Sequence, residues 1–117
     1  MSNKFSNGSI WVRFDCHLHT RADKEFKYSE NENEYITKYI EKLKAEEIEV
    51  GIITNHNKFD IDEYKALKKK ANKENIFILP GVELSVNDGS NGIHCLIVFN
   101  PDEWLENGNN YISQFII

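Results

Sequence analysis

The chain has four histidines, and two of them, His17 and His19, stand one residue apart in FDCHLHT at 14–20. On an extended segment this spacing puts two imidazoles on one side with their Cα atoms about 6.6 Å apart. Two rings so placed can converge on one cation through bonds of about 2.0–2.1 Å. Asp15, two positions before His17, shares that alternation, which leaves Cys16 and Leu18 on the other side. The remaining histidines and one carboxylate recur in comparable settings: His56 in IITNHN, Glu83 in ILPGVE and His94 at the start of HCLIVF. Each alone has a bland reading, as a hydrogen-bonded loop histidine or as a capping or surface carboxylate. Together they form a candidate divalent-metal cluster, because imidazole and carboxylate suit Zn²⁺, Mn²⁺ or Fe²⁺ better than Ca²⁺.

That cluster exists only if the right elements carry it. IWVRFD at 10–15 is β-branched and aromatic and follows Asn7-Gly8-Ser9, so it is predicted as a strand. The polar stretch SENENE at 29–34 reads as a loop into a helix, where Ile36, Tyr39, Ile40, Leu43 and Ile48 recur at helical spacing. VGIIT at 50–54 is an almost wholly apolar strand of the kind covered on both faces. Asp60 with Glu63 has the form of a capping box and opens a second helix bearing Tyr64, Leu67 and Ala71, with Lys68–Lys70 as a solvated run. IFIL at 76–79 is a third strand, ended by Pro80-Gly81, and HCLIVF at 94–99 is a fourth. Pro101–Trp104 resembles a helix start, and NYISQFII at 110–117 fits helix or strand. Trp11 and Trp104 are expected in or over the core.

Strands alternating with helices imply parallel strands with helical crossovers, an α/β architecture whose ligands lie at the carboxyl ends of the strands. With parallel strands, His17, His19, His56 and Glu83 gather on one rim. Cys16 and Cys95 neighbour candidate ligands, but alternation turns both away, so they are expected to be buried structural thiols under the helices.

The bulk properties set bounds. A length of 117 residues suits a single domain spanning 1–117. The net charge of −5 argues against a broad electrostatic grip on nucleic acid or anionic lipid. It leaves room for a local phosphate site, since bound cations reverse the field within one pocket. No signal-like apolar run opens the sequence, and nothing approaches the ~18 apolar residues of a membrane span. Two cysteines do not make a disulfide framework, and a reducing cytoplasm is the expected compartment.

The motifs resemble those of the PHP (polymerase and histidinol phosphatase) family of metal-dependent phosphoesterases. FDCHLHT matches its D-x-H-x-H-T motif, IITNHN resembles the T-D-H motif, LPGVELS resembles G-x-E, and His94 stands where a further histidine follows. The wording from GVELS through NPDEW is similar to PHP domains joined to an SMC- or ABC-like ATPase. The resemblance implies the N-terminal half of a distorted (β/α)7 barrel holding up to three Zn, Mn or Fe ions. It implies that His17 and His19 hold one ion, that Glu83 bridges two, and that His56 and His94 serve neighbouring ions. The family also places an acidic residue or histidine shortly after the second histidine. Glu25 is the preferred candidate for that position and Asp23 the alternative.

The implied activity is hydrolysis of a phosphate ester, either a phosphomonoester or a nucleic-acid end. His17, His19, His56 and Glu83 would form the catalytic centre, and Asp15 would fix an imidazole's tautomer or bond a neighbouring backbone group. Thr20 and Asn57 would line the site. Three departures stand out: Asn55 replaces the usual aspartate of T-D-H, the usual Ser-Asp-Gly run is absent, and no histidine follows His94 to supply the family's later D-x-H. A β/α barrel needs about 200 residues or more. The expectation is therefore an incomplete PHP-like domain, completed by an ATPase-bearing continuation or a second chain and weakly active or inactive alone. A small complete three-layer α/β domain is the alternative architecture. A non-catalytic metal-binding or interaction module is the alternative function.

Overall fold

The computed structural model of the chain describes residues 8, 10–24, 26–28, 32–88 and 91–116. In chain order the elements are β1 (Phe14–Leu18), a 3-10 turn (Glu32–Glu34), α1 (Tyr35–Ala45), β2 (Val50–His56), α2 (Ile61–Lys73), β3 (Phe77–Asp88) and β4 (Asn91–Val98). A small hairpin, β5 (Leu105–Glu106) with β6 (Asn109–Asn110), precedes α3 (Tyr111–Ile116). The main sheet has the order β1-β2-β3-β4. β1, β2 and β3 run parallel and are joined through α1 and α2, while β4 turns back antiparallel to β3. This is the α/β arrangement expected of the first half of a β/α barrel, with one antiparallel strand at its edge.

Burial follows strand parity. Ile53 and Ile78 face the helices and pack with Ile40, Leu43, Leu67 and Ala71 in one apolar cluster. Trp104 joins it from beyond β4, edge-on to Phe59 and Tyr64 at 5.2 and 5.5 Å between ring centroids. The opposite face carries Val50, Ile52, Thr54 and His56, paired in register with Phe77, Leu79, Gly81 and Glu83. One face is thus a hydrophobic floor for two helices, and the other ends in chemistry. α2 begins as its sequence indicates, with Asp60 Oδ1 accepting the Glu63 N–H at 3.0 Å.

Several expectations are corrected. The first strand begins at Phe14, not Ile10, and Trp11 is 95% exposed, outside any core. Pro80-Gly81 does not end the third strand, which continues to Asp88. Pro80 O accepts the Phe99 N–H at 2.9 Å, but proline has no N–H to return, so β4 stops at Val98 instead. Pro101–Trp104 forms a turn, not a helix start, and helix is the conformation taken over 111–116. Cys16 and Cys95 are exposed, not buried. They lie on the two edge strands, and the described helices pack over β2 and β3. No helix among the described residues is long and apolar enough to cross a membrane.

Candidate metal centre

Parallel strands bring their carboxyl ends to one rim, and β2 and β3 do so in strict register, so His56 and Glu83 are direct partners. β4 contributes by a different route. His94 lies within the strand, not at its opening, opposite Ser85. Since Leu96 opposes Glu83, His94 is Glu83's diagonal neighbour on the same face.

β1 reaches the site through a slip in register. Asp15 pairs with Gly51 and Leu18 with Ile53, so three steps of β1 match two of β2. Asp15 therefore shares the helix-facing side with Leu18, not the side of the histidines. Its Oδ1 accepts the His17 N–H at 2.9 Å. The aspartate bonds neighbouring backbone and fixes the slip that aims His17 and His19 inward.

Four imidazoles meet around one carboxylate. Glu83 Oε1 is 2.6 Å from His17 Nε2 and 3.1 Å from His19 Nε2. Its Oε2 is 3.0 Å from His56 Nε2 and 2.5 Å from His94 Nδ1. Each oxygen thus faces its own pair of imidazoles, the disposition of a bridging carboxylate. Glu83 is 1% exposed. Burial by itself raises its pKa, but hydrogen bonds to His19, His94 and His17 and the charge of His56 outweigh that, holding it down at about 2.

Asp23, weighed in the sequence as the alternative to Glu25, is buried beside the cluster. Its Oδ2 accepts the His56 N–H at 2.6 Å, contacts His56 Nδ1 at 2.9 Å and stands 3.9 Å from His19 Nε2. Glu25 lies outside the described residues. Asn57 is exposed in a left-handed conformation, φ 48°, and donates its N–H to Glu83 O at 2.9 Å, closing β2. Thr20 is fully buried and bonded to Asn55, next to the site and not lining it.

The donor set fits divalent cations. His17 Nε2 and His19 Nε2 face each other at 3.1 Å with Glu83 Oε1 between them. Lone pairs so arranged repel unless a proton or cation lies among them. Two donors bound tetrahedrally to one zinc are about 3.3 Å apart, so the His17–His19 and His19–Glu83 pairs would open by a few tenths of an ångström and the 2.6 Å His17–Glu83 pair by more to admit an ion. Three donor groups can be drawn, each with its ligand atoms within 4.8 Å of one another: His17–His19–Glu83, His19–Asp23–His56 and His56–Glu83–His94. Because they share His19, His56 and Glu83, they describe adjacent ion positions. Sequence reasoning missed the β1 slip and the contact of the Thr20 hydroxyl with Glu63. Asp23's place was signalled by its position shortly after the second histidine, where it stood as the alternative to Glu25.

Comparison with solved structures agrees with this fold. The chain superimposes on a candidate metal-dependent phosphoesterase from Bifidobacterium adolescentis with a TM-score of 0.61 at 16% identity, over 90% of this chain and 32% of that one. It superimposes on an amidohydrolase from Chromobacterium violaceum, solved with bound sulfate and no metal, with a TM-score of 0.58 at 22% identity, over 79% of this chain and 30% of that one. The chain thus has the α/β fold of these hydrolases and spans about a third of the length of each. No protein-family model and no curated protein sequence matches it.

Proposed function

We propose that this chain carries the metal-binding half of a metal-dependent phosphoesterase. The observation that carries this reading is the buried Glu83 carboxylate, each of whose oxygens faces two imidazoles. His17, His19 and Glu83 would hold one ion and His56, Glu83 and His94 a second, with Glu83 bridging them; Asp23 with His19 and His56 offers an alternative position, because each imidazole nitrogen serves one ion at a time. Bound Zn²⁺, Mn²⁺ or Fe²⁺ would supply hydroxide near neutral pH and charge to neutralise the leaving oxygen of a phosphate ester.

The chain's own residues do the rest. Glu83 stays ionised across the physiological range, so it brings full negative charge to the centre. Asp23 beside His56 Nδ1 fixes the tautomer whose Nε2 points inward, toward Glu83. His17 and His94 are the exposed members of the cluster, so phosphate would approach from their side. The chemistry of the donor set and the likeness of fold to a candidate phosphoesterase support phosphate esters as the substrate class, and a cytoplasmic setting would suit it. An ATPase-bearing continuation or a second chain would complete the barrel.

The test is metal analysis followed by metal-stimulated hydrolysis of an aryl phosphate by the full-length protein, with His17→Ala as control. Turnover that needs metal and vanishes in the variant supports the proposal. Stoichiometric metal without turnover points to a non-catalytic metal-binding module, and no metal uptake ends both readings.

A further inference from the structure

Behind the metal centre, on the helix-facing side of the sheet, lies a second polar group that the histidines do not use. Thr20 follows His19 and Asn55 precedes His56, and both are almost completely buried. Asn55 Oδ1 accepts the Thr20 backbone N–H at 2.8 Å, and Asn55 Nδ2 donates to Thr20 Oγ1 at 2.8 Å. A backbone N–H can only donate, so the amide's orientation is fixed. Ala22 N–H also approaches Thr20 Oγ1, at 3.4 Å. With these donors turned toward its lone pairs, the hydroxyl keeps its own proton for Glu63, whose Oε1 it contacts from the first turn of α2. Every hydrogen in the chain Asn55–Thr20–Glu63 therefore runs one way.

We infer that Glu63 is a positioning residue for the metal centre and that Asn55 is matched to it: the amide at 55 and the carboxylate at 63 impose a single hydrogen-bond direction through Thr20, which ties the ends of β1 and β2 together behind His19 and His56. An aspartate at 55 would put an oxygen where Nδ2 stands. The Thr20 proton could then serve only one of two carboxylates, and the other would face an oxygen: at 55 in a buried setting, at 63 in a partly buried one with the Ala22 N–H as remaining donor. Burial raises the Glu63 pKa while the Thr20 hydroxyl pulls it back, as expected of a carboxylate stabilised by this contact. Reversing both ends restores the balance. In Asn55→Asp/Glu63→Gln the Thr20 hydroxyl donates to position 55 and accepts from the Gln amide at 63.

The experiment is a double-mutant cycle on the full chain at pH 8, read by thermal midpoint in metal-free buffer and by zinc affinity against a competing chelator. Asn55→Asp is expected to lower the midpoint and to weaken zinc binding by about 10- to 100-fold, the usual effect of losing a partner behind the ligands. Glu63→Gln alone is expected to be mild, since its carbonyl can still accept. Adding Glu63→Gln to Asn55→Asp should recover most of both losses. Additive effects would overturn the inference, as would failure of both Asn55→Asp and the double variant to fold. A midpoint rescue without an affinity rescue would overturn the positioning role. This inference rests on the metal-binding reading only for its affinity arm: wild-type protein that binds no zinc refutes that reading, while the midpoint cycle still decides whether residues 55 and 63 are matched.

Discussion

Glu83 and His56 are register partners on neighbouring parallel strands, and their side chains meet at 3.0 Å between Oε2 and Nε2. The sheet's hydrogen bonding thus sets the distance between a candidate bridging carboxylate and a candidate ligand before any ion arrives.

Replacing that carboxylate should cost more than replacing any single imidazole. Glu83→Gln keeps the shape but removes the charge and one of the two oxygens that face the histidine pairs. Zinc affinity should fall by more than ~100-fold, beyond the usual loss on removing a partner behind the ligands. Chelator competition measures it. An affinity within threefold of wild type would mean that Glu83 does not bridge.

Asp23 acts partly through His56. With Asp23→Asn the carbonyl can still accept from Nδ1, but the charge is gone, so zinc affinity should drop by about 10-fold with little change in the fold. Histidine NMR would show whether His56 keeps its tautomer. Unchanged affinity would assign Asp23 to backbone support alone, through its contact with the His56 N–H.

Two pH windows follow for the metal-free chain. Glu83 is held near 2 against an ordinary 4.5, so its contribution is complete above about pH 4.5 and is lost as pH falls toward 2. Burial pushes the Tyr35 phenol up to about 12 from 10.0, and burial raises Tyr39 and Tyr64 as well. In that alkaline window the unfolded chain has already released protons that the native state keeps, so stability present below pH 10 is lost as pH rises toward 12. Denaturant midpoints should hold from pH 8 to about 10 and decline from there to 12. A flat profile would contradict the phenol burial.

Two glycines should respond differently to alanine. A Cβ at Gly81 would lie 2.6 Å from Ile97 O and 3.1 Å from Ile53 O, both backbone atoms that the sheet holds in place. At Gly51 it would meet Leu18 Cδ1 at 2.6 Å, the movable end of a side chain. Gly81→Ala should cost about 1–3 kcal/mol, the usual range for overpacking, and Gly51→Ala distinctly less. Equal losses in denaturant melts would refute the distinction.

Much of the site was legible because it depends on local pattern. His17, His19, His56 and Glu83 follow apolar strands in the sequence, and parallel pairing makes strand ends coincide. His94 reached the cluster for a reason that pattern could not supply. Its strand is antiparallel, and only pairing with β3 places it diagonal to Glu83. Strict alternation misplaced Asp15 because a register slip depends on which residues pair across strands, and one strand's sequence does not encode that. Pro80 misled for a related reason: its missing N–H ended the partner strand instead of its own. Alternation turns Cys16 and Cys95 toward the helices and residue type places Trp11 in or over the core, whereas burial at a sheet edge depends on whether anything lies beyond it.

The cluster draws its donors from β1, β2, β3 and β4 together. Cations seated at its adjacent positions would together act as rivets through all four strands, making metal uptake and folding one linked equilibrium. At 100 times its dissociation constant such an ion would add about 2.7 kcal/mol to the folded state. Chelators would then loosen the strands themselves as well as empty the centre.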